Sequence, residues 1–598
     1  MAGNTNRTEY DVIIIGAGLA GLTLSRHLLL YTGKTILLLD KRLDPPREAP
    51  QKYGESLVQA SGYYFGKVLD LEEHLLIDQY LKYNLRFHWP TAGLANRGLE
   101  DYSLSFIRTQ SNIATFQLDR NLFEAHLLRT NRQNPRFEFL GGVRNVCVDL
   151  SETGDCHRVC FEGGDVRGRW VIDASGRGGV LKRQLELAQP NPIRHGATFC
   201  WVEGLVNIEK LTGRKHQEVL YDRKRSQTGH FPAFLATNHF CAEGQWFWVI
   251  PLHHKTSLGL VYDHNVVDAE EVSNTRKLID YVCRQWPLFA RDLPYRKILD
   301  EGRLIDFSYD CRETISPRRW ALIGEAGRFS DPLYSPGSDL IAIYNTLVVD
   351  AIETEGEQEL RRKCRAAEQI QRVVYESYVP SYAVSYDCLG DQEAFSLKYS
   401  WELAVYFGFF VFPMLNNLFA NREFMPRFLR RFARLGPINA NLQRTLSAFY
   451  QWKKQQPSVP PAEPQLFDFY MMAPLAHAEK MFYKTGLEPE EAIAALDQLL
   501  SRLREFARYI LTHIHASVLG NHEVLTNAAF VESLDLHHTV FHLESMHARY
   551  ARYAGAPKKF DWRLDPDALE KFIPDRRSVD SLGRFPSAEG LFERAGKR

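Results

Sequence analysis

The chain has 598 residues, 45% apolar and 24% charged. This is the make-up of a globular protein too long for one simple core, so two or three packed units are expected. Its 73 basic and 73 acidic residues cancel, which argues against nucleic acid as the main partner, because such proteins carry a basic excess. Nine cysteines without a Cys-x-x-Cys pair predict reduced core thiols, a cytoplasmic location and no metal site. The first ten residues are polar and do not read as a signal peptide.

Residues 10–15 predict a buried parallel strand, followed by Gly16-Ala17-Gly18-Leu19-Ala20-Gly21, a helix to about residue 30, and a second strand at 35–39 ending in Asp40. In such a β-α-β unit Gly16 permits the tight turn, Gly18 lets backbone approach a pyrophosphate, and Gly21 allows close helix–strand packing. Phosphates sit at the positive helix end, and Asp40 accepts hydrogen bonds from an adenosine ribose.

Further along, residues 120–130 read as a helix and 169–172 as a strand. Alternating apolar residues between about 195 and 305 predict a β-rich unit, and 320–323 a buried strand. The chain turns helical after about 338. Residues 404–420 carry no charge, but Pro413, Asn416 and Asn417 interrupt a stretch already short of the about 20 residues that span a bilayer, so a buried helix or pocket wall is expected, not a transmembrane segment. The basic run RFLRRFAR at 427–434 reads as a solvated helix face, with an acidic carrier protein or a membrane surface as the sharper option. PSVPPAEP at 457–464 reads as a connector, 487–520 as one or two amphipathic helices, and the last residues, 579–598, as a frayed end. His538 and His542 would share a helix face near Glu544, a spacing more often structural than metal-binding.

Several motifs carry a resemblance. The segment around Arg120 (Gln117-Leu118-Asp119-Arg120), Asp173-Ala174-Ser175-Gly176, and Gly324-Glu325-Ala326-Gly327 resemble, in order, the arginine segment, second glycine motif and late Gly-Asp motif of group A FAD monooxygenases. Here Glu325 stands where the usual residue is Asp. Trp246-Phe247-Trp248-Val249-Ile250-Pro251 resembles the WxWxIP signature of flavin-dependent halogenases. Gly54-Glu55-Ser56 resembles that family's Gly-Glu-Ser/Ala segment. Lys82, in Lys82-Tyr83-Asn84-Leu85-Arg86-Phe87, resembles the catalytic lysine of the phenol- and pyrrole-type members. Ser330-Asp331-Pro332-Leu333-Tyr334-Ser335-Pro336-Gly337 resembles the halide and flavin loop.

The resemblance covers residues 10 to 350. It implies an FAD-binding Rossmann-like, doubly wound α/β domain (about 1–60, 100–190 and 300–350) and a β-rich substrate part (60–100 and 190–300). Beyond it, the mainly helical pattern of 351–598 reads as a region that caps the substrate cavity. The resemblance further implies that Gly16, Gly18, Gly21, Asp40, Arg120, Asp173, Gly176, Gly324, Glu325, Pro336 and Gly337 hold the cofactor. Reduced FAD would come from a separate flavin reductase, since no second glycine-rich fingerprint is present. Chloride or bromide would be oxidised to hypohalous acid, relayed to Lys82 and passed to an electron-rich aromatic ring, free or carrier-tethered. Trp246 and Trp248 would wall the flavin from that ring.

Two departures bear on this reading. Pro336 has no N–H, which leaves Gly337 and Ser338 as halide donors. Tyr334 stands where tryptophan halogenases place a glutamate, which leaves the phenolic type. An FAD monooxygenase hydroxylating a bulky apolar substrate remains open, as does a non-catalytic flavin protein.

Overall fold

The computed structural model describes residues 7–43, 50, 52–109, 111–153, 155–215, 232–456, 463–555 and 558–562. Most of the proline-rich connector and all of 579–598 lie outside the described residues.

The run Val12-Ile13-Ile14-Ile15 has no polar alternation because both of its faces are buried. Its strand, Glu9–Ile15, pairs in parallel with Ile36–Asp40 on one side and Gly164–Asp173 on the other. Phe137–Gly141 and Trp320–Leu322 extend the parallel sheet outward, and Ile315–Ser316 closes one edge antiparallel. Val12 and Ile14 enter the core shared with helices Leu19–Tyr31, Arg120–Arg132 and Pro336–Ile352. Ile13 and Ile15 enter a second core on the opposite face, with Val148, Val159 and Leu181. This is the doubly wound FAD-binding architecture expected.

The second sheet has eight strands. In spatial order they are Ile298–Leu304, His195–Glu203, Lys255–Asp263, Gln245–Leu252, Thr237–Ala242, Leu85–Pro90, Tyr102–Phe106 and Leu466–Asp468. The period of two along Gln245–Leu252 explains the tryptophan spacing. Trp246, Trp248 and Ile250 face the large core, and Phe247 and Val249 face a separate one with Trp286 and Phe289. Residues 59–78, expected with the sheet unit, are helical instead: Gln59–Tyr63, a π-turn at Tyr64–Val68, and Glu72–Asp78.

The rest is helical, dominated by Glu357–Ala383, Gln392–Tyr406, Leu435–Gln455 and Pro489–Leu519, the last a single 31-residue helix. The uncharged stretch becomes the end of one helix, a π-turn at Phe407–Val411 and a short helix Phe412–Leu415. Phe407, Phe409, Phe410 and Phe412 are buried. No helix among the described residues is long and apolar enough to cross a membrane.

The basic helix Phe424–Phe432 is docked, not free. Phe424, Phe428 and Phe432 are buried, while Arg427 and Arg431 pair with Glu490 and Asp497. His538 and His542 do not share a helix face. The helix starts at Leu543 with His542 as its cap, and the preceding chain is held by Thr539 N–H donating to Asn441 Oδ1 at 2.8 Å. No cluster of metal-ligating side chains occurs among the described residues.

Candidate active site

Two cavities meet between the sheets and the helical region. The larger begins at Gly18 and runs past Arg120, Gly176 and Glu325 to Trp246 and Trp248. Its glycine turn leaves no room for side chains at two of its positions. A Cβ on Gly16, which has φ +115°, would lie 2.4 Å from the Ala174 carbonyl oxygen, and one on Gly21 would lie 2.1 Å from the Gly16 oxygen. Gly18 meets nothing within 4 Å and lines the cavity. It also precedes a helix whose first N–H groups have no side-chain cap, a ready anion site.

The remaining expected cofactor residues divide. Arg120 lines the cavity and is aimed by Glu124 and by the Tyr53 carbonyl at 2.8 Å. Glu325 lines it too, accepting from the Tyr53 hydroxyl at 3.0 Å. Burial pushes the Glu325 carboxyl up, against the hydrogen bond from Tyr53 and the charge of Arg177. Gly324, at φ +57°, turns the chain there. Asp40 accepts from the Ala17 N–H at 2.6 Å and from Arg42, so it fixes the turn itself. Burial works to raise its carboxyl, but Arg42 and these N–H groups hold it below the usual range. Asp173 does not line the cavity. Its carboxylate is taken up by Ser175 N–H and Oγ and by Leu181 N–H, which shape the loop presenting Gly176.

Trp246 and Trp248 line the cofactor cavity and take no part in the wall of the second one. They were expected between flavin and substrate, but strand periodicity points both to the cofactor side. Trp246 donates to Tyr386 at 2.6 Å and Trp248 to Ser257 at 3.1 Å.

The second cavity, about 60 Å³, holds Lys82. Its position follows from a small ribbon. Residues 55–57 hydrogen-bond to 116–118, and Tyr80–Leu81 pairs with Phe116–Gln117, so Ser56 and Lys82 are neighbours across one strand. Lys82 is 1% exposed. Its Nζ donates to Ser56 Oγ at 3.0 Å and to the Leu57 carbonyl. Burial pulls its pKa down to about 7, opposed by Asp339. Asp339, equally buried, is pushed up to about 6 by the same loss of water, with Tyr406 and Ser61 acting against it.

The wall between the cavities is thin. Ser56 lines the cofactor side while bonding to Lys82, and its hydroxyl also meets Thr237 Oγ1 at 2.9 Å. The halide-loop segment forms the other part. Tyr334 and Ser335 are both left-handed (φ 70° and 62°), a costly conformation for side-chain-bearing residues. This bend starts helix Pro336–Ile352 against the cofactor cavity. Pro336 is the first helical residue, where a missing N–H forfeits no helix bond. It lines the Lys82 chamber, not the cofactor cavity expected for it. Gly337 and Ser338 line the cofactor cavity, and at positions two and three of the helix their N–H groups have no intrahelical acceptor.

Tyr399, Glu402 and Leu403 of the chamber were missed in the sequence. With Tyr406, which lies in the stretch expected as a pocket wall, they form one stripe of helix Gln392–Tyr406 at spacings of three and four, and all line it. The helical period was the available signal, but nothing local says what the stripe faces.

No family model matches the chain. Among curated proteins it is 26% identical over 430 residues to a flavin-dependent halogenase of Dictyostelium discoideum, covering 67% of this chain and 70% of that one. It is 24% identical to a 1H-pyrrole-2-carbonyl-[peptidyl-carrier protein] chlorinase of Pseudomonas fluorescens, covering 55% and 72%. The chain is a relative of the flavin-dependent halogenases. The crystal structure of halogenase PltM shares its fold, with a TM-score of 0.55 over 83% of this chain and 98% of that one at 16% identity. Like the halogenases it resembles, the chain is an FAD-dependent oxidoreductase, and the glycine turn, Arg120 and Glu325 are the residues that would hold FAD.

Proposed function

We propose that the chain halogenates an electron-rich aromatic ring of the phenol or pyrrole type, using Lys82 as the group that receives oxidised halogen. The observation that carries this reading is the placement of Lys82: buried, with its pKa brought near neutrality, and one hydroxyl away from the cofactor cavity. Bound in reduced form, FAD would supply with dioxygen the two-electron oxidation that turns chloride or bromide into hypohalous acid. The chain's own part begins with the halide, held by the Gly337 and Ser338 N–H groups at the positive end of their helix. Ser56 and Thr237 offer hydroxyls along the way to the chamber. There the unprotonated Lys82 amine takes the halogen from hypohalous acid, releasing water, or hydrogen-bonds the intact acid. The ring then exchanges a proton for the halogen.

A separate flavin reductase would deliver the reduced cofactor. The Pseudomonas relative is named for a carrier-bound pyrrole, which supports a pyrrole-type ring, free or tethered, alongside phenols. Nine unpaired cysteines support a cytoplasmic setting.

Reduced FAD, air, bromide and a phenol panel given to the purified protein should yield product with the paired bromine isotope pattern in mass spectra. Omitting halide should abolish it. A hydroxylated product that persists without halide would instead establish a monooxygenase.

A further inference from the structure

The Lys82 chamber, at about 60 Å³, is well below the roughly 300 Å³ at which small-molecule sites begin. A substrate therefore needs further space, and it lies next door. A cavity of about 380 Å³ shares Tyr334, Tyr378, Glu402 and Tyr406 with the chamber as a common wall. That volume is in the range of small-molecule sites. Beyond the wall it is built by Trp401, Phe410, Phe432 and Gly436, and its rim reaches solvent-exposed Glu376. Apolar rings thus surround a few polar atoms.

Those polar atoms point to a ligand. Glu402 Oε1 accepts from Ser381, Lys398 and Gln443 at 2.6, 2.6 and 2.9 Å, so the carboxylate is held rigidly. Its other oxygen, Oε2, and the Tyr334 hydroxyl on the same wall are buried beside each other without a well-formed hydrogen bond, which leaves acceptor capacity on the carboxylate. An unsatisfied buried acceptor costs about 1–3 kcal/mol, more when charged, so these atoms are expected to meet a partner that is itself a donor.

We infer that this outer cavity binds the body of the substrate, and that Glu402 Oε2 accepts a hydrogen bond from its ring hydroxyl or N–H. The inference rests on the halogenase reading for which group the ring then meets. The edge bearing the reactive carbon is turned toward the wall shared with the Lys82 chamber. Acidic Glu376 and Glu402 favour a neutral, donor-bearing aromatic over a carboxylic acid. Glu402 is a specificity-determining residue and Lys82 the reacting one.

Binding alone tests this. The FAD-loaded full chain is titrated with 2-naphthol, followed by the naphthol's own fluorescence, and with its methyl ether. Saturable binding of 2-naphthol is expected, about tenfold tighter than the ether. Gly436 is exposed at the mouth of this cavity, with open space around its Cβ, so Gly436→Leu narrows the entrance and weakens naphthol binding about tenfold or more. Glu402→Gln removes the charged acceptor and levels naphthol with ether. FAD affinity on the same proteins separates a local effect from a lost fold; should Glu402→Gln fail to fold around Lys398, Gly436→Leu decides. Absent saturable binding by the wild type, unchanged binding in Gly436→Leu, or a naphthol preference that survives in Glu402→Gln overturns the inference. No readout involves halide or turnover, so failure of the halogenation chemistry is seen separately.

Discussion

Replacing Lys82 with methionine is expected to cut halogenated product by roughly 10³-fold or more, the scale on which enzymes lose rate when a reacting base or nucleophile is deleted. The size follows from the chamber. A lysine in water leaves roughly one amine in three thousand unprotonated at pH 7, whereas burial brings Lys82 to about 7 and leaves about half unprotonated. Methionine keeps the apolar stem and removes the amine. It leaves Ser56 Oγ and the Leu57 carbonyl without their donor, a cost of about 1–3 kcal/mol, offset in part because no cation has to be buried. The fold and FAD binding should therefore survive, and reduced FAD should still be oxidised by air with release of peroxide. The sign of the pH effect follows as well. Lys82 gains its proton as pH falls through about 7, so wild-type product formation should drop about tenfold between pH 8 and pH 6. Product yield and oxygen consumption, measured together across that range, check both statements.

Gly21→Val should abolish FAD binding, with an affinity loss of about 100-fold or more, and lower the melting temperature of the apoprotein. A Cβ there lands 2.1 Å from a backbone oxygen and 3.3 Å from the Ala174 Cβ. Neither neighbour is the end of a flexible side chain, so helix Leu19–Tyr31 must move off the sheet. Overpacking of this kind costs about 1–3 kcal/mol. Gly18→Val is the contrasting case. Its side chain meets no protein atom within 4 Å of the Cβ and projects where the pyrophosphate belongs. The apoprotein should keep its melting temperature and lose FAD. Equal destabilisation by the two substitutions would contradict the division of labour among the glycines.

The cofactor half of the site was legible because its determinants are local. A buried strand, a turn needing glycine at Gly16 and Gly21, and an acid at Asp40 fall within about 25 residues of one another. Lys82 was legible through its resemblance to a known segment, but its contact with Ser56 across the ribbon was not, because that pairing passes through residues 116–118. The tryptophan pair was read as a wall because its motif is associated with flavin, but which side of a strand faces the substrate depends on what packs behind it. Here Phe247 and Val249 are claimed by the core around Trp286, which sends both tryptophans to the cofactor side. Asp173 was read as a ligand residue, yet its carboxylate is consumed by the loop after it. Glu402 was invisible for the opposite reason. It arrives 320 residues after Lys82, on a helix whose stripe looks like ordinary core until Tyr334 and Lys82 are seen across from it. Sites assembled from distant elements depend on tertiary packing, which a local pattern does not encode.

The central claim is that oxidised halogen travels inside the protein, past Ser56 to Lys82, and does not reach the ring through bulk water. The direct measurement is bromination of a bound phenol in the presence of excess methionine, at a concentration that fully suppresses bromination by added hypobromite. Wild-type product yield should be unchanged by the methionine. A yield that falls in parallel with the hypobromite control would mean that the oxidant escapes, and that Lys82 is not its acceptor.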